Sequence, residues 1–302
     1  MTTIPIIPAF TNPRLKHVIC LIMDCKNGNP NGDPMSDNLP RTDQISGHGI
    51  MSSESIKYKV RTAMEELGKE LEESNRYNRL IKKDAVINEI IEQGFVDANV
   101  VPKKEKQTPT EKSIVMKHLL EKYFDARLFG AVLSTGEKQA GTYSGPMQIS
   151  MAESYDTVTT EQMSITRCAA TNAREGKENK TFGRKAFLYY GLYSTRIFYS
   201  PEADKYELVT QKDLELFWES LLTMFEHDRS AARGEMYVRG LWIFSHANKR
   251  GHTPSHKLFE SIKVTRTSVS EPRQFSDYTV SVDESVLTDF YAKGGILTQL
   301  GI

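Results

Sequence analysis

The chain has 302 residues, of which 39% are hydrophobic, and its 39 basic residues balance 39 acidic ones. This composition supports a substantial core, in one large domain or two small ones. A net charge of zero argues against a protein that coats nucleic acid by overall charge alone. No run approaches the ~20 apolar residues of a membrane span, the first residues lack a signal-peptide pattern, and the three cysteines form no C-x-x-C pair. We therefore expect a cytoplasmic protein that does not contact a membrane.

A long loop rich in Asn, Gly, Asp and Pro follows the first predicted strand. Residues 15–25 are an apolar run, typical of a strand buried on both faces. Residues 27–50 then read NGNPNGDPMSDNLPRTDQISGHGI. These residue types favour turns and leave backbone N–H groups available to a ligand. A loop of this length is usually functional or disordered, so the pattern alone leaves both interpretations open.

The next predicted element is an amphipathic helix, capped by Ser52 or Ser53, with an apolar stripe from Ile56 to Leu71. Lys57 and Arg61 lie one turn apart on it, where they would reach a run of phosphates or simply face water. Residues 75–126 contain too few apolar residues for a core of their own, so they are predicted to be an insertion.

Later segments alternate between strand patterns and polar stretches. Residues 155–185 are polar and rich in bases, which indicates a second insertion, and Thr210 with Asp213 resembles a capping box that opens another helix. Residues 135–145 suit a hairpin loop. The remaining strands are predicted at 127–134, 146–154, 186–200 and 240–246, with edge strands at 257–265 and 277–282.

Without the two insertions, the predicted order of elements is βαββαβ. This is the ferredoxin-like α+β arrangement of RNA-recognition modules, in which the sheet face can meet nucleic acid. The aromatic signature of ordinary RNA-recognition modules is absent, so the sequence does not predict base stacking on the central strands.

The motifs NGNPNGDP, NLPRTD and GHG in the long loop resemble the signature of the Cas7 family, the RNA-binding backbone subunits of CRISPR Cascade complexes. The similarity is greatest to subtype I-C. Three later stretches agree, FGAVLSTG from Phe129, GPMQ from Gly145 and FEHDRSAARGEM from Phe225, so the resemblance spans about residues 15–266.

The resemblance implies a modified RNA-recognition core that forms a palm, with insertions that form fingers and a thumb. It also implies a protein without catalytic activity or cofactor, whose copies stack head to tail in a helical filament on guide RNA (crRNA). The other Cascade subunits, and target DNA paired with the guide, would be its partners.

We therefore expect one domain over residues 1–302, with a finger-type insertion at 75–126 and a thumb at 155–185. Met163 and Ile165, next to Arg167, would belong to one arm of a hairpin that wedges between bases. The expected RNA contacts come from the motifs, the first helix, the second insertion and the stretch after the second helix: Asn29, Asn31, Arg41, Lys57, Arg61, Ser134, Thr135, Gln148, Arg167, Arg184, Lys185, Arg229 and Arg233.

Charge is unevenly distributed around Arg229 and Arg233. Residues 201–228 hold eight acids and two bases, whereas residues 229–266 hold eight bases and two acids. Arg229 and Arg233, at i,i+4 spacing, would hold successive phosphates from one helical turn, or would instead form ion pairs with the acids just before them.

The sequence contains partial patterns for three other kinds of site. Residues 27–38 begin like a calcium loop but have Asn38 where a bidentate Glu is required, so calcium is rejected. His246, His252 and His256 do not match a zinc pattern. Asp33 supports a rival function, metal-dependent RNA cleavage of the kind found in type III backbone subunits, unless it only caps a turn. A purely structural oligomer is the second rival.

Overall fold

The structure is a computed structural model that describes residues 7–101, 107–135, 138–167 and 181–301, and it shows a mixed α+β fold. Within these residues no helix is long and apolar enough to cross a membrane. The α-helices are α1 (Ser53–Gly68), α2 (Ile87–Asp97), α3 (Pro109–Lys122), α4 (Phe124–Phe129), α5 (Gln211–His227), α6 (Ser255–Glu260) and α7 (Thr288–Ala292). The strands are β1 (His17–Gly28), β2 (Gly32–Asp33), β3 (Leu39–Pro40), β4 (His48–Met51), β5 (Ala131–Leu133), β6 (Gly141–Tyr143), β7 (Met147–Ile149), β8 (Ala152–Thr157), β9 (Thr160–Arg167), β10 (Thr181–Tyr199), β11 (Glu235–Ser245), β12 (Ile262–Arg266), β13 (Tyr278–Val282) and β14 (Ile296–Leu300).

The main sheet is antiparallel. In the described part of the chain its strand order is β14-β11-β1-β10-β8-β4, and β7 and β9 also pair with β10. Along the chain, β1, α1, β8, β10, α5 and β11 follow one another as βαββαβ, and their four strands lie side by side as β11-β1-β10-β8. β10 spans 19 residues, and its first part extends beyond these four strands, where it pairs with β9.

The strand predicted at residues 127–134 is wrong over its first half. All six residues of α4 are buried. β5 lies in the second half of the predicted strand and pairs, outside the main sheet, with β6, which lies within the predicted hairpin loop. A short apolar run buried on every side has no periodicity that separates strand from helix. Its polar residues are held by distant contacts: Asp125 accepts hydrogen bonds from the backbone of Leu80 and Ile81, and Arg127 donates to Asp213 at 2.6 Å.

Both faces of β1 are covered, as its apolar run predicts. Residues 18–23 are at most 5% exposed. The odd-numbered side chains pack in a cluster with α1 and α5, while the even-numbered ones pack with Leu258 of α6, Phe290 of α7 and Tyr278 of β13. The centre of the sheet therefore lacks the open face through which RNA-recognition modules meet nucleic acid.

The C-terminal strands predicted at the sheet edge lie elsewhere. Residues 257–260 belong to α6, and β12 pairs with β13 in a separate two-stranded sheet. The edge position beside β11 is taken by β14, which the sequence pattern did not indicate. Edge strands are short and half-buried, so their patterns are weak.

The caps predicted for the two long helices are confirmed. The Ser52 hydroxyl accepts a hydrogen bond from the amide of Ser55 at 3.2 Å, and Thr210 and Asp213 form a reciprocal capping box at the start of α5. These bonds satisfy amides that the first helical turn leaves without a partner.

Residues 75–126 contain more apolar packing than the sequence suggested. Ile91 and Phe95 of α2 pack against Met116, Leu119 and Leu120 of α3 in a cluster distinct from the two that flank the sheet. Two amphipathic helices that face each other can bury a few large side chains together, so low overall apolar content did not exclude a local core.

Residues 155–185 include an antiparallel hairpin. β9 pairs with the first part of β10, from Arg167↔Thr181 to Thr160↔Leu188. Residues 168–180 of the predicted insertion, and the side chain of Arg167, lie outside the described part of the structure.

The burial of His17 makes the stability of the protein depend on pH. The His17 ring is fully buried, its Nε2 donates to the Asn12 carbonyl and its Nδ1 accepts from the Ser245 hydroxyl. Desolvation lowers the pKa of His17 from 6.5 to about 4. Between these values the unfolded chain binds more protons, so stability is complete above 6.5 and decreases towards 4. Acidification from about pH 7.5 to about pH 5 should lower the free energy of unfolding by about 2 kcal/mol through His17.

Urea unfolding at the two pH values measures this loss. His17→Gln should reduce the pH dependence, whereas His256→Gln, at an exposed position, should leave it unchanged. An unaltered pH dependence in His17→Gln would contradict the role of this ring.

Candidate nucleic-acid interface

Two motif-bearing segments, residues 27–50 and residues 228–235, meet the β9–β10 hairpin at one end of the sheet, which we call the loop end. The amide of Asn29 donates to the carbonyl of Ala232 at 2.7 Å, which ties the long loop to the turn after α5. β3, within the loop, contacts both β9 and β10. The segments converge because β1 ends where β11 begins, as antiparallel pairing requires.

Aspartate side chains shape the long loop. Asp33 accepts hydrogen bonds from the Met35 amide at 3.1 Å and the Ser36 hydroxyl at 3.2 Å. Asp43 accepts one from the Ile45 amide at 2.8 Å. Both are Asx turns, the local bonding that favours Asp and Asn in loops. The interpretation of Asp33 as the cap of a turn is confirmed.

The two predicted asparagines anchor the loop. Asn29 is buried, and its side-chain amide donates to the Asn38 carbonyl at 2.6 Å. The Asn31 side-chain oxygen accepts from the amide of Ser52, the cap of α1, at 2.8 Å. Both side chains therefore hold the loop backbone in place beside α1.

Three of the basic residues predicted to contact RNA lie at the loop end. Arg41 lies 3.5 Å from Asp33, and the buried Nε of Arg41 has no hydrogen-bond acceptor among the described residues. Arg184 is exposed and lies 3.7 Å from Asp37, while Lys185 beside it is half-buried. Exposed ion pairs of this kind are weak, so these cations remain able to bind an external anion.

The helical pairing predicted for Arg229 and Arg233 is wrong. α5 ends at His227, and both arginines lie in the turn that leads to β11. Arg229 donates to Glu226 at 2.5 Å, and Arg233 donates to Asp228 at 2.8 Å. The structure thus shows the intramolecular ion pairs that the sequence had left open.

The group that holds this turn was missed in the sequence. Lys59 on α1 is 4% exposed, and its ammonium contacts the Asp228 carboxylate, which also accepts from Arg233. Desolvation lowers the pKa of Lys59, and the hydrogen bond and charge of Asp228 oppose that shift. A lysine stem packs like an apolar side chain, so its burial leaves no signal in a hydrophobic pattern.

A second basic group lies farther along α1. Lys57 and Arg61 both lie over the ring of Phe129, at 5.6 and 5.1 Å from its centre. Arg61 approaches Asp125 at 3.1 Å, whereas Lys57 forms no ion pair with any acid in the described ranges. Desolvation, followed by the charge of Arg61, lowers the pKa of Lys57. An anion placed here would relieve the repulsion between the two cations.

The remaining predicted contacts with described side chains lie on other segments of the chain. Ser134 and Thr135 are exposed after β5, and Thr135 donates to Asn88 at 2.9 Å. Gln148 is exposed on β7 and lies opposite Phe198 of β10. A strand rises about 3.3 Å per residue, so Gln148 lies roughly 45 Å along β10 from Arg184. The predicted residues do not form one compact site and are spread along the molecule.

The histidines singled out for a possible metal have other roles. The Nδ1 of buried His246 accepts from the amide of His252 at 3.2 Å, and His256 is exposed on α6. Burial lowers the pKa of His246 to about 4. Among the described residues, no group of three or more His, Cys, Asp or Glu side chains is placed to hold a metal ion.

The protein thus has a mixed α+β fold, and its basic side chains are distributed along the length of the molecule. The family model described as CRISPR-associated protein Cas7 matches residues 15–283, and the chain belongs to this family. No curated protein matches the sequence.

Solved structures of CRISPR complexes are among those similar to the chain. One, titled "CRISPR RNA-guided surveillance complex, pre-nicking", shares 14% identity over 76% of this chain and 78% of that chain, with a TM-score of 0.46. Another, titled "CRISPR RNA-guided surveillance complex", shares 14% identity over 94% of this chain and 88% of that chain, with a TM-score of 0.47.

Removal of the half-buried acid that pairs with Lys59 should destabilise the protein. Asp228→Asn leaves the buried Lys59 ammonium without a counter-charge, so the free energy of unfolding should fall by about 3 kcal/mol. Urea denaturation measures this change. Glu226→Gln, which breaks the exposed pair with Arg229, is the matched control and should cost less than about 1 kcal/mol. Equal effects of the two substitutions would contradict the importance of burial.

Proposed function

We propose that this chain is the crRNA-binding backbone subunit of a type I CRISPR Cascade surveillance complex, of subtype I-C. The observation that carries the proposal is the match of the Cas7 family model to residues 15–283. The motifs of the long loop, which resemble subtype I-C, support the finer assignment.

In this proposal β1, α1, β8, β10, α5 and β11 form an RNA-recognition-type palm within a single domain of residues 1–302. The spatial order β11-β1-β10-β8 supports that interpretation. Residues 75–126 are the fingers. Residues 155–185 are the thumb, because the β9–β10 hairpin extends the sheet beyond the palm.

RNA binds through its phosphates along the molecule rather than on the sheet face. The covered faces of β1 exclude the usual mode, and the distance between Arg184 and Gln148 along β10 suits an extended strand. Phosphate contacts carry no sequence information, so one protein accepts any guide. Recognition of target DNA is then left to base pairing with the guide.

Several copies assemble head to tail along the guide, with other Cascade subunits as further partners in the cytoplasm. A heterologous interface that does not close on itself produces a filament. The net charge of zero supports this arrangement, because copies with a large charge of one sign would repel each other.

Binding through phosphates predicts strong salt dependence. The logarithm of affinity for single-stranded RNA should fall linearly with the logarithm of salt concentration, by about 0.7 for each phosphate neutralised. Lys57→Gln should reduce that slope by about 0.7, whereas Lys82→Gln, at an exposed lysine outside the predicted set, should not change it. Fluorescence anisotropy titrations measure the slope. Affinity independent of salt, or strongly dependent on the RNA sequence, would contradict phosphate binding.

The protein is proposed to bind RNA without cleaving it. The Asp33 carboxylate already accepts hydrogen bonds within its own turn and pairs with Arg41, so it is not free to hold a metal ion. Asp33→Asn should therefore leave RNA binding nearly unchanged. Incubation of labelled RNA with the wild type and magnesium should give no products on a denaturing gel. A magnesium-dependent cleavage that disappears in Asp33→Asn, with the fold intact, would favour the nuclease instead.

Removal of the thumb should harm assembly more than folding. Replacement of residues 160–182 by a short Gly/Ser linker should leave a folded monomer with a similar melting temperature, because none of the segment's described residues belongs to the apolar clusters. The variant should lose ordered filaments on guide RNA and the regular protection of that RNA from nuclease. Regular filaments, seen by electron microscopy of the variant, would show that these residues are not the thumb.

A further inference from the structure

The strand β14 forms an open edge of the main sheet. One side of β14 pairs with β11 in continuous register, from Ser245↔Ile296 to Leu241↔Leu300. Within the described ranges, residues 296–300 form no backbone hydrogen bond on the other side. A row of unpaired N–H and C=O groups is a template on which another strand can pair.

β14 has none of the features by which proteins usually protect such an edge. Its sequence, ILTQL, contains no charged residue and no proline, and its pairing with β11 has no bulge. Ile296 is 50% exposed, and the four residues that follow it are exposed or half-buried. Charges, prolines and bulges are the devices that keep free edges from pairing. Their absence indicates an edge that is covered by another strand when the protein is at work.

The other edges of the main sheet are already paired, charged or short. β4 is bonded on its outer side to residues 41–43 of the long loop. β9 carries Glu161, and the first part of β10 carries Arg184 and Lys185. β7 has three residues. Among the described strands of this sheet, β14 is therefore the edge best suited to pairing, and a second copy of the chain offers the same edge.

β14 is complementary to itself in antiparallel orientation. With Thr298 on a two-fold axis, Ile296 lies opposite Leu300 of the second copy, and Leu297 lies opposite Gln299. No like charges meet, because the strand has none. Side chains that face each other across such a pair are about 4.5–5.5 Å apart at Cβ, so Ile296 and Leu300 would be in contact.

We propose that two copies of the RNA-free chain pair through their β14 edges, which joins their main sheets across a two-fold axis. The pairing satisfies the free backbone groups of β14 and covers its exposed and half-buried apolar side chains. An interface of this kind uses the same surface of both copies and closes on itself, so it gives a dimer rather than a filament. It uses none of the residues predicted to contact RNA, so a failure of the proposed function would leave it unaffected.

Charge reversal at the two-fold axis tests the proposal. Sedimentation velocity of nuclease-treated, full-length wild-type protein should show a dimer whose fraction rises with concentration. Thr298→Lys and Thr298→Glu should each raise the dissociation constant roughly five- to tenfold, because two like charges would face each other. An equal mixture of the two variants should dimerise again, because opposite charges would then meet. Thr279→Lys, at an exposed position of β13 outside the main sheet, is the matched control and should dimerise like the wild type.

Hydrogen exchange of the wild type gives a test that needs no substitution. Exchange of the amides of residues 296–300 should slow as the protein concentration rises, while that of β13 should not change. A wild type that stays monomeric, or a dimer that Thr298→Lys leaves intact, would overturn the proposal. Two monomeric variants that do not dimerise when mixed, although circular dichroism shows both folded, would also overturn it, because β14 would then not face its own copy. Exchange at residues 296–300 that does not depend on concentration would do the same.

Discussion

The burial of β1 on both faces is the constraint on which the rest of the structure depends. One face packs against α1 and α5, and the other is covered by α6, α7 and the β12–β13 pair. A strand enclosed in this way offers a ligand only its ends and the loops that leave them. The long loop begins where β1 ends, so the motifs within that loop lie at the accessible end of an otherwise closed strand.

Polar contacts hold the loop end in a defined shape before any ligand binds. Asn29 and Asn31 fasten the long loop to its own backbone and to the cap of α1, while Asp33 and Asp43 close its turns. A loop that is already ordered loses less conformational entropy when it binds, which strengthens binding without an additional contact.

Ion pairs with at least one buried member join segments that are distant in sequence. Lys59 and Asp228 connect α1 to the turn after α5, and Arg127 and Asp213 connect α4 to the start of α5. The cost of removing such charges from water offsets much of their attraction, so they contribute little net stability. Any arrangement that separates the two partners of a pair costs free energy, because a buried charge would then have no counter-charge. These pairs thereby fix the helical insertion and the loop end relative to α5.

The sequence by itself determined the features that depend on neighbouring residues. Alternating and continuous apolar runs located β1, β10 and the two long helices, Ser52 and Thr210 marked the caps, and the Asn-Gly-Asp-Pro composition located the long loop. Local sterics and local hydrogen bonds decide each of these, so a short window of sequence contains the information. The motifs also indicated the family to which the chain belongs.

Only the tertiary structure decided the features that depend on distant partners. Buried Arg127 donates a hydrogen bond to Asp213, which lies 86 residues away, and Asp228, directly after α5, shares its carboxylate between Arg233 and Lys59 of α1. Charged side chains choose partners through space, and the free energy of each choice depends on burial that no local pattern of residues reports.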